Sequence, residues 1–177
     1  MAVLRPFPLL LRPMNRRDLR FYSRLYTDPL LMAQIGKPLT RRAARRSADA
    51  TLAGMRARPA HVCCWIMQLQ PSRVRIGLVG WRPWDDGLEL GAIVLPPWQR
   101  NGFAVSALHC LCDIAMDRTG SGRLLLRHRP GHLAAAEVSR SLGFMPRDDA
   151  HDGQGNQVWV LTRDAWRANT SPHDEVS

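Results

Sequence analysis

"LELGAIVLPPWQRNGFAVSAL", residues 88–108, joins three unlike pieces in one short run. LELGAIVL is rich in aliphatic and β-branched residues and reads as a strand. Pro96 and Pro97 end it, and having no N–H they leave no orphan donor at its end. Gln99-Arg100-Asn101-Gly102 forms a polar knot. From Phe103 a helical period begins, with Ala104, Ala107, Leu108, Leu111, Cys112 and Ala115 on one face to about Asp117. A helix start leaves its first N–H groups outside the ladder and carries partial positive charge. Gly102 has no Cβ to keep a ligand off the backbone, and Arg100 adds a formal charge. The junction therefore reads as a cradle for a pyrophosphate. The other reading is a glycine that only shapes the corner.

Upstream, PLLLRPM (8–14) reads as a strand and 16–28 as a helix with Leu19, Tyr22 or Ser23, and Tyr26 on one face and Asp18 in its first turn. DPLLMAQIGKPLT (28–40) is a short helix or turn. Thr40 caps a helix over 41–57 whose apolar stripe is Ala43, Ala44, Ala48, Leu52 and Met55. Residues 61–70, 74–84 and 88–95 are strands of an antiparallel meander, separated by Pro71-Ser72 and Asp85-Asp86-Gly87. Beyond the 103–117 helix come a strand (122–128), a helix (131–144) ending at Gly143, and a strand (157–162). The order β-α-α-β-β-β-α-β-α-β predicts an α/β (α+β mixed) single domain over 1–165, its mixed, mostly antiparallel sheet covered by helices on both faces. Residues 166–177 are expected to be a polar tail.

The chain of 177 residues can bury one sizeable core. Its net charge of +10 attracts polyanions, whether nucleic acid, anionic membrane or a phosphorylated cofactor. Lys37 is the one lysine among 25 basic residues, so an arginine-rich coding bias accounts for the charge equally well. Arg41, Arg42, Arg45 and Arg46 read as the solvated face of an amphipathic helix. No aromatic-interleaved basic stripe accompanies them, so no nucleic-acid partner is expected. Cys63, Cys64, Cys110 and Cys112 fit neither a zinc knuckle nor a disulfide framework, so reduced thiols and no metal are expected. No apolar run reaches the ~20 residues of a membrane span, and prolines break the N-terminal one. A cytoplasmic protein without a membrane partner, monomer or homodimer, is the expectation.

Residues 99–104, Gln-Arg-Asn-Gly-Phe-Ala, resemble the Q/R-x-x-G-x-G/A loop of the GNAT superfamily of N-acetyltransferases. LELGAIVLPPWQRNGFAVSAL is similar to the family's fourth strand, loop and third helix, and LLLRHRPGHLAAAEVSRSLGF to its fifth strand and fourth helix. PLLLRPMNRRDLRFYSRLYTDPLLMAQIG is similar to the opening of the branch that acetylates ribosomal-protein N-termini and small amines. The resemblance implies acetyl-CoA, or another acyl-CoA, as co-substrate and an amine acceptor, a peptide or protein N-terminus or a small molecule. It implies that Gln99, Arg100, Asn101, Gly102, Phe103 and Ala104 hold the pyrophosphate. It also implies a splayed strand pair, with the pantetheine arm bonded to the backbone of Ile93, Val94 and Leu95.

Aminolysis of a thioester needs a neutral amine, an oxyanion donor such as an N–H near Val94, and a proton for the thiolate. Glu89 is the candidate base, and a solvent-facing strand residue is its other reading. The fourth helix departs from the family pattern. His132 stands where members often have asparagine, Ala135 where the branch often has serine, and Ser139 where many place a tyrosine acid. Ser106 replaces the usual glutamate of the third helix. His132 is the candidate cofactor contact, with an unremarkable helix-start histidine as its other reading, and Ser139 is the catalytic-acid position with a poor proton donor in it. Asp85 and Asp86 are candidates for attracting a cationic acceptor, or form a solvated turn. Two alternatives to the transferase stand beside it: a non-catalytic CoA-binding module, and a basic nucleic-acid-binding protein.

Overall fold

A computed structural model describes residues 9–57, 60, 62–85, 87–151 and 153–170. Strand β1 (Leu9–Pro13) leads through a 3-10 turn (Arg16–Asp18) into helices α1 (Leu19–Thr27), α2 (Pro29–Met32) and α3 (Arg41–Arg56). The meander follows as β2 (Cys63–Leu69), β3 (Val74–Trp84) and β4 (Gly87–Val94). A second 3-10 turn (Pro96–Trp98) and helix α4 (Phe103–Arg118) cross over to β5 (Arg123–His128). Helix α5 (Leu133–Ser141), strands β6 (Met145–His151) and β7 (Gln157–Thr162) and helix α6 (Arg163–Thr170) complete the chain. Among the described residues seven strands form one sheet in the order β1-β2-β3-β4-β5-β7-β6. Strands β4 and β5 are parallel and the other neighbouring pairs antiparallel.

Strand alternation sends side chains to two cores, one on each face. On one, Leu19, Tyr22, Leu25, Ala48 and Leu52 of α1 and α3 pack on Cys64, Ile66, Leu78 and Ile93. On the other, Ala107, Leu108, Leu111 and Ala115 of α4 pack on Val79, Trp81, Leu90, Leu124 and Leu126. Each fully buried leucine contributes about 1.5–3 kcal/mol. The helical stripe expected for 41–57 is the face that docks, with Ala44, Ala48 and Leu52 buried and Arg41, Arg42, Arg45 and Arg46 exposed. Among the described residues no helix is long and apolar enough to cross a membrane.

Several expectations are corrected. The first helix starts as a 3-10 turn because Asn15 caps it and the Asp18 carboxylate bonds back to Asn15 N at 3.0 Å. Asp18 lies in the first turn as expected. It is fully buried, forked by Arg12 through two 2.7 Å bonds and reached by Arg75 at 3.3 Å, so it ties β1, the turn and β3 together. Strand β6 and helix α6 are additions to the expected order. Of the expected polar tail, 166–170 is helical, anchored by Trp166, which is buried and donates Nε1 to Asp113 at 3.0 Å, and 171–177 lies outside the described residues. Cys64 and Cys112 are buried, which pushes both thiols up to about 12, whereas Cys110 is exposed.

Candidate functional site

Strands β4 and β5 pair only at Leu88/Leu124 and Glu89/Leu125 among the described residues, and then run apart. Gly87 makes the vertex possible: a Cβ there would sit 2.7 Å from the Arg123 carbonyl and 2.8 Å from Leu125. Past the vertex the edge of β4 is exposed to the gap. Leu95 N bonds Ile76 O at 2.8 Å, and Ile93 lies opposite Leu78. Antiparallel alternation therefore turns the polar groups of Ile93 and Leu95 to β3 and those of Ala92 and Val94 to the gap. Of the three backbone positions expected to meet a pantetheine arm, only Val94 turns its polar groups to the gap. Ile93 instead buries its side chain against α1 and α3.

The cradle follows directly. Arg100 and Gly102 both take left-handed backbone, at φ 62° and 75°, on either side of Asn101. Asn101 donates Nδ2 to Gln99 O at 2.9 Å and steadies the turn. Gln99 donates Nε2 to Val94 O at 2.8 Å, so its side chain links the loop to the gap edge. The first ladder bond of α4 runs from Ser106 N to Gly102 O, 3.0 Å. Among the described residues no side chain caps this helix, and a Cβ on Gly102 would meet nothing within 4 Å. A helix end that is uncapped and open is suited to an anion. Phe103 is buried against the core and stacks edge-on with Trp98 at 6.4 Å, so it anchors the loop, while Ala104 is half-buried beside it.

Glu89 lies at the vertex, but its carboxylate is engaged. Arg82 Nε donates to Oε2 at 2.7 Å, and Arg127 Nη2 reaches both oxygens at 3.0 and 3.2 Å. The Arg127 guanidinium carbon sits over Trp84, 3.9 Å from the ring centre. A proton arriving from an amine would have to displace a guanidinium bond, so the geometry suits orientation better than proton acceptance. Asp85 is an exposed turn residue at φ 42°, and Asp86 lies outside the described residues.

Across the gap, His132 caps α5, accepting Ala135 N at Nδ1 over 3.4 Å, which places its proton on Nε2. His128 is buried 6.2 Å from it, ring to ring. Burial lowers both pKa values below the ordinary histidine range, and their mutual proximity lowers His132 further, so both rings are neutral at pH 7. Ser139 is sealed, 1% exposed, with Oγ donating to Ala135 O at 2.9 Å. Sequence reasoning missed Arg82, Arg127 and His128. The hairpin register was a usable signal for Arg82, because it sets Arg82 directly opposite Glu89. Nothing local marks Arg127, which reaches Glu89 through the crossover. A groove of about 370 Å³ between His109, Arg140, Trp166 and Asn169 shares none of these residues. Among the described residues no three His, Cys, Asp or Glu side chains converge as a metal site requires.

The family model of the acetyltransferase (GNAT) domain matches residues 8–145. Among curated proteins no sequence match is found. Solved structures share the fold. An acetyltransferase from Agrobacterium tumefaciens superposes with a TM-score of 0.77 at 20% identity, over 88% of this chain and 91% of that one. The spermidine N-acetyltransferase of Vibrio cholerae, in complex with CoA and spermine, gives 0.72 at 17% identity over 89% and 97%. The ribosomal L7/L12 alpha-N-protein acetyltransferase in complex with coenzyme A gives 0.72 at 13% identity over 89% and 95%.

Proposed function

The chain belongs to the acetyltransferase (GNAT) domain family, and from that premise we propose that it transfers an acetyl group from acetyl-CoA to a primary amine within a ternary complex. The observation that carries this reading is the open, uncapped start of α4 at Gly102, tied by Gln99 to the edge of the β4–β5 gap. The residues fit the co-substrate: backbone groups over 99–104 would take the pyrophosphate and the Val94 N–H would meet the acyl end, with His132 on the opposite rim. When bound, acetyl-CoA supplies an activated carbonyl carbon that bonds the amine nitrogen, and its departing thiolate takes up the proton the amine gives up.

The chain's own residues position rather than titrate. The Val94 N–H is set to donate to an oxygen that gains charge. Glu89 holds Arg82 and Arg127 in place. Holding the two reactants together contributes several kcal/mol on the usual scale of effective molarities. An α-amine suits such a site, since its pKa is about 8 against about 10.4 for lysine, leaving more of it neutral at physiological pH. Peptide N-termini and small α-amines are therefore the acceptors in this reading.

A second reading, a CoA-binding module without turnover, draws on the sealed Ser139 at the position of the family's usual acid. One experiment tests both. Acetyl-CoA binding is followed by calorimetry, and mass spectrometry follows the products from a panel of acyl-CoAs and amines. Binding with acetylated amine supports the transferase, binding without product supports the module, and absence of binding sinks both.

A further inference from the structure

We propose, building on the transfer reading, that the Arg82–Glu89–Arg127 cluster at the vertex of the β4–β5 gap binds a carboxylate of the acceptor, so that the preferred acceptor is an amine carrying a nearby carboxylate. The placement follows from register. Leu78 and Ile93 point to the α1/α3 face, so Arg82 and Glu89, cross-strand partners in the same alternation, point there too. Glu89 pairs with Leu125 in the parallel bridge, and Arg127, two residues on, shares that face. The three side chains meet over Trp84, whose ring lies 3.9 Å from the Arg127 guanidinium and 5.7 Å from that of Arg82.

Burial grades the cluster. The side chains of Arg127 and Glu89 are 9% and 15% exposed and form its fixed floor. Arg82 is 56% exposed and gives Glu89 only its Nε, so its two terminal nitrogens have no hydrogen-bond partner among the described residues. That leaves the planar fork of a guanidinium, already oriented by Glu89 and Trp84, turned towards solvent. Such a fork matches a carboxylate in a bidentate way. Arg129, at the end of β5, bonds the Ala33 carbonyl of the loop after α2 at 2.9 Å and adds a third cation to this side of the gap. Two guanidiniums thus bond the Glu89 carboxylate, and the third lies at the end of the same strand. Of the described acids nearby in the chain, Asp28 is engaged in capping Leu30 N and Leu31 N, and Asp85 sits in the exposed hairpin turn. A polycationic acceptor meets like charge here. An acceptor with a carboxylate meets the fork, and the same field favours entry of its amine in the neutral form.

Product-side probes test this without turnover. Affinities of N-acetylalanine and N-acetylalaninamide for the protein with CoA are compared by calorimetry. A second pair is an N-acetylaspartyl and an N-acetylasparaginyl dipeptide amide. The first pair presents an α-carboxylate, as a free amino acid does, and the second a side-chain carboxylate, as an acidic N-terminus does. In at least one pair the acid is expected to bind at least tenfold more tightly than its amide, and the pair that shows it identifies the source. Arg82→Gln is expected to bring that ratio to within about twofold of one while CoA affinity and melting temperature hold. Equal affinities in both pairs, tighter binding of spermine than of either acid, or an unchanged ratio in a folded Arg82→Gln protein would overturn the proposal. Failure of the transfer reading registers separately, as no acetyl-CoA binding. A carboxylate preference measured on the protein alone would then still uphold the anion site, and its absence would overturn it.

Discussion

Gln99 donates its side-chain amide to the carbonyl oxygen of Val94 across 2.8 Å, joining the loop before α4 to the strand edge that faces the gap. That side-chain bond adds to the Trp98–Phe103 packing in fixing the loop against the strand. One such bond contributes about 1 kcal/mol, roughly a fivefold change in an equilibrium constant. Gln99→Ala is therefore expected to raise the KM for acetyl-CoA about fivefold with little change in kcat, read by steady-state kinetics. An unchanged KM would mean that the loop is positioned by Phe103 and Trp98 alone.

Gly102 separates conformation from space. At φ 75° an alanine is strained by about 1 kcal/mol, yet its Cβ would meet nothing within 4 Å. Gly102→Ala is expected to lower stability by about that amount and to keep acetyl-CoA binding within a few-fold. Gly102→Glu puts a carboxylate where an anion is to sit, and binding is expected to vanish in a protein that still folds. Calorimetry on both variants, with circular dichroism as the folding check, decides. Undiminished affinity in Gly102→Glu would remove the cradle from this loop.

The two halves of the fold differed in how openly the sequence declared them. The meander and α4 announce themselves through alternation, two prolines and a helical stripe, all local signals. Strand β6 does not, because Met-Pro-Arg-Asp-Asp-Ala-His has neither alternation nor β-branched residues. Its pairing with β7 breaks register between Pro146 and His151, so partnership rather than propensity makes it a strand. Helix α6 is held by contacts distant in sequence, the buried Trp166 against Asp113 and Arg163 on the Gly122 and Ser121 carbonyls. At the site, the left-handed glycine turn into α4 was legible from the six residues 99–104. The engagement of Glu89 was only half legible: Arg82 follows from the hairpin register, whereas Arg127 arrives through a crossover 38 residues away.

Ser139 stands where an acid was expected, but its hydroxyl donates into its own helix and is 1% exposed. A hydroxyl held in this way has no path to a thiolate. Ser139→Ala is expected to change kcat by less than about twofold, well short of the roughly hundredfold that marks acid–base catalysis. The bond it loses is local, so melting temperature is expected to move little. A variant that binds acetyl-CoA normally and is inactive would show that the serine moves into the gap during turnover.

Asp18 makes stability depend on acid. Burial raises its pKa, but the Arg12 fork, the Asn15 N–H and Arg75 outweigh that, and the net shift is downward from the ordinary aspartate value. A depressed pKa stabilises the fold in full above the unfolded-state value of about 3.9, and the gain is lost as pH falls through the lower folded value. Urea melts at pH 6 and pH 3 should therefore differ less for Asp18→Asn than for the natural chain. Asp18→Ala is expected to cost about 3 kcal/mol at pH 6, the low end for breaking a buried pair, since Arg12 and Arg75 keep contact with water. An equal acid sensitivity in both proteins would assign it to other carboxylates.

Glu89 decides between proximity and general base catalysis. As a base it would take the amine's proton, and Glu89→Gln would lower kcat about a hundredfold and flatten the acid limb of the pH–rate profile. The structure sets its two oxygens against three guanidinium bonds, from Arg82 and Arg127. An amide in that place keeps one acceptor oxygen and turns a donor towards a donor, which loosens the arginines more than it alters proton transfer. Glu89→Gln is accordingly expected to lower kcat less than about tenfold, to raise the KM of the acceptor, and to leave the acid limb where the amine's own titration puts it. Acetyl-CoA affinity is expected to hold, because the cradle lies beyond the other end of β4. Kinetics from pH 6 to 9 with an α-amine acceptor separate the cases. A hundredfold loss with a flattened limb would return the base role to Glu89, and would require one of its guanidinium bonds to open when the acceptor binds.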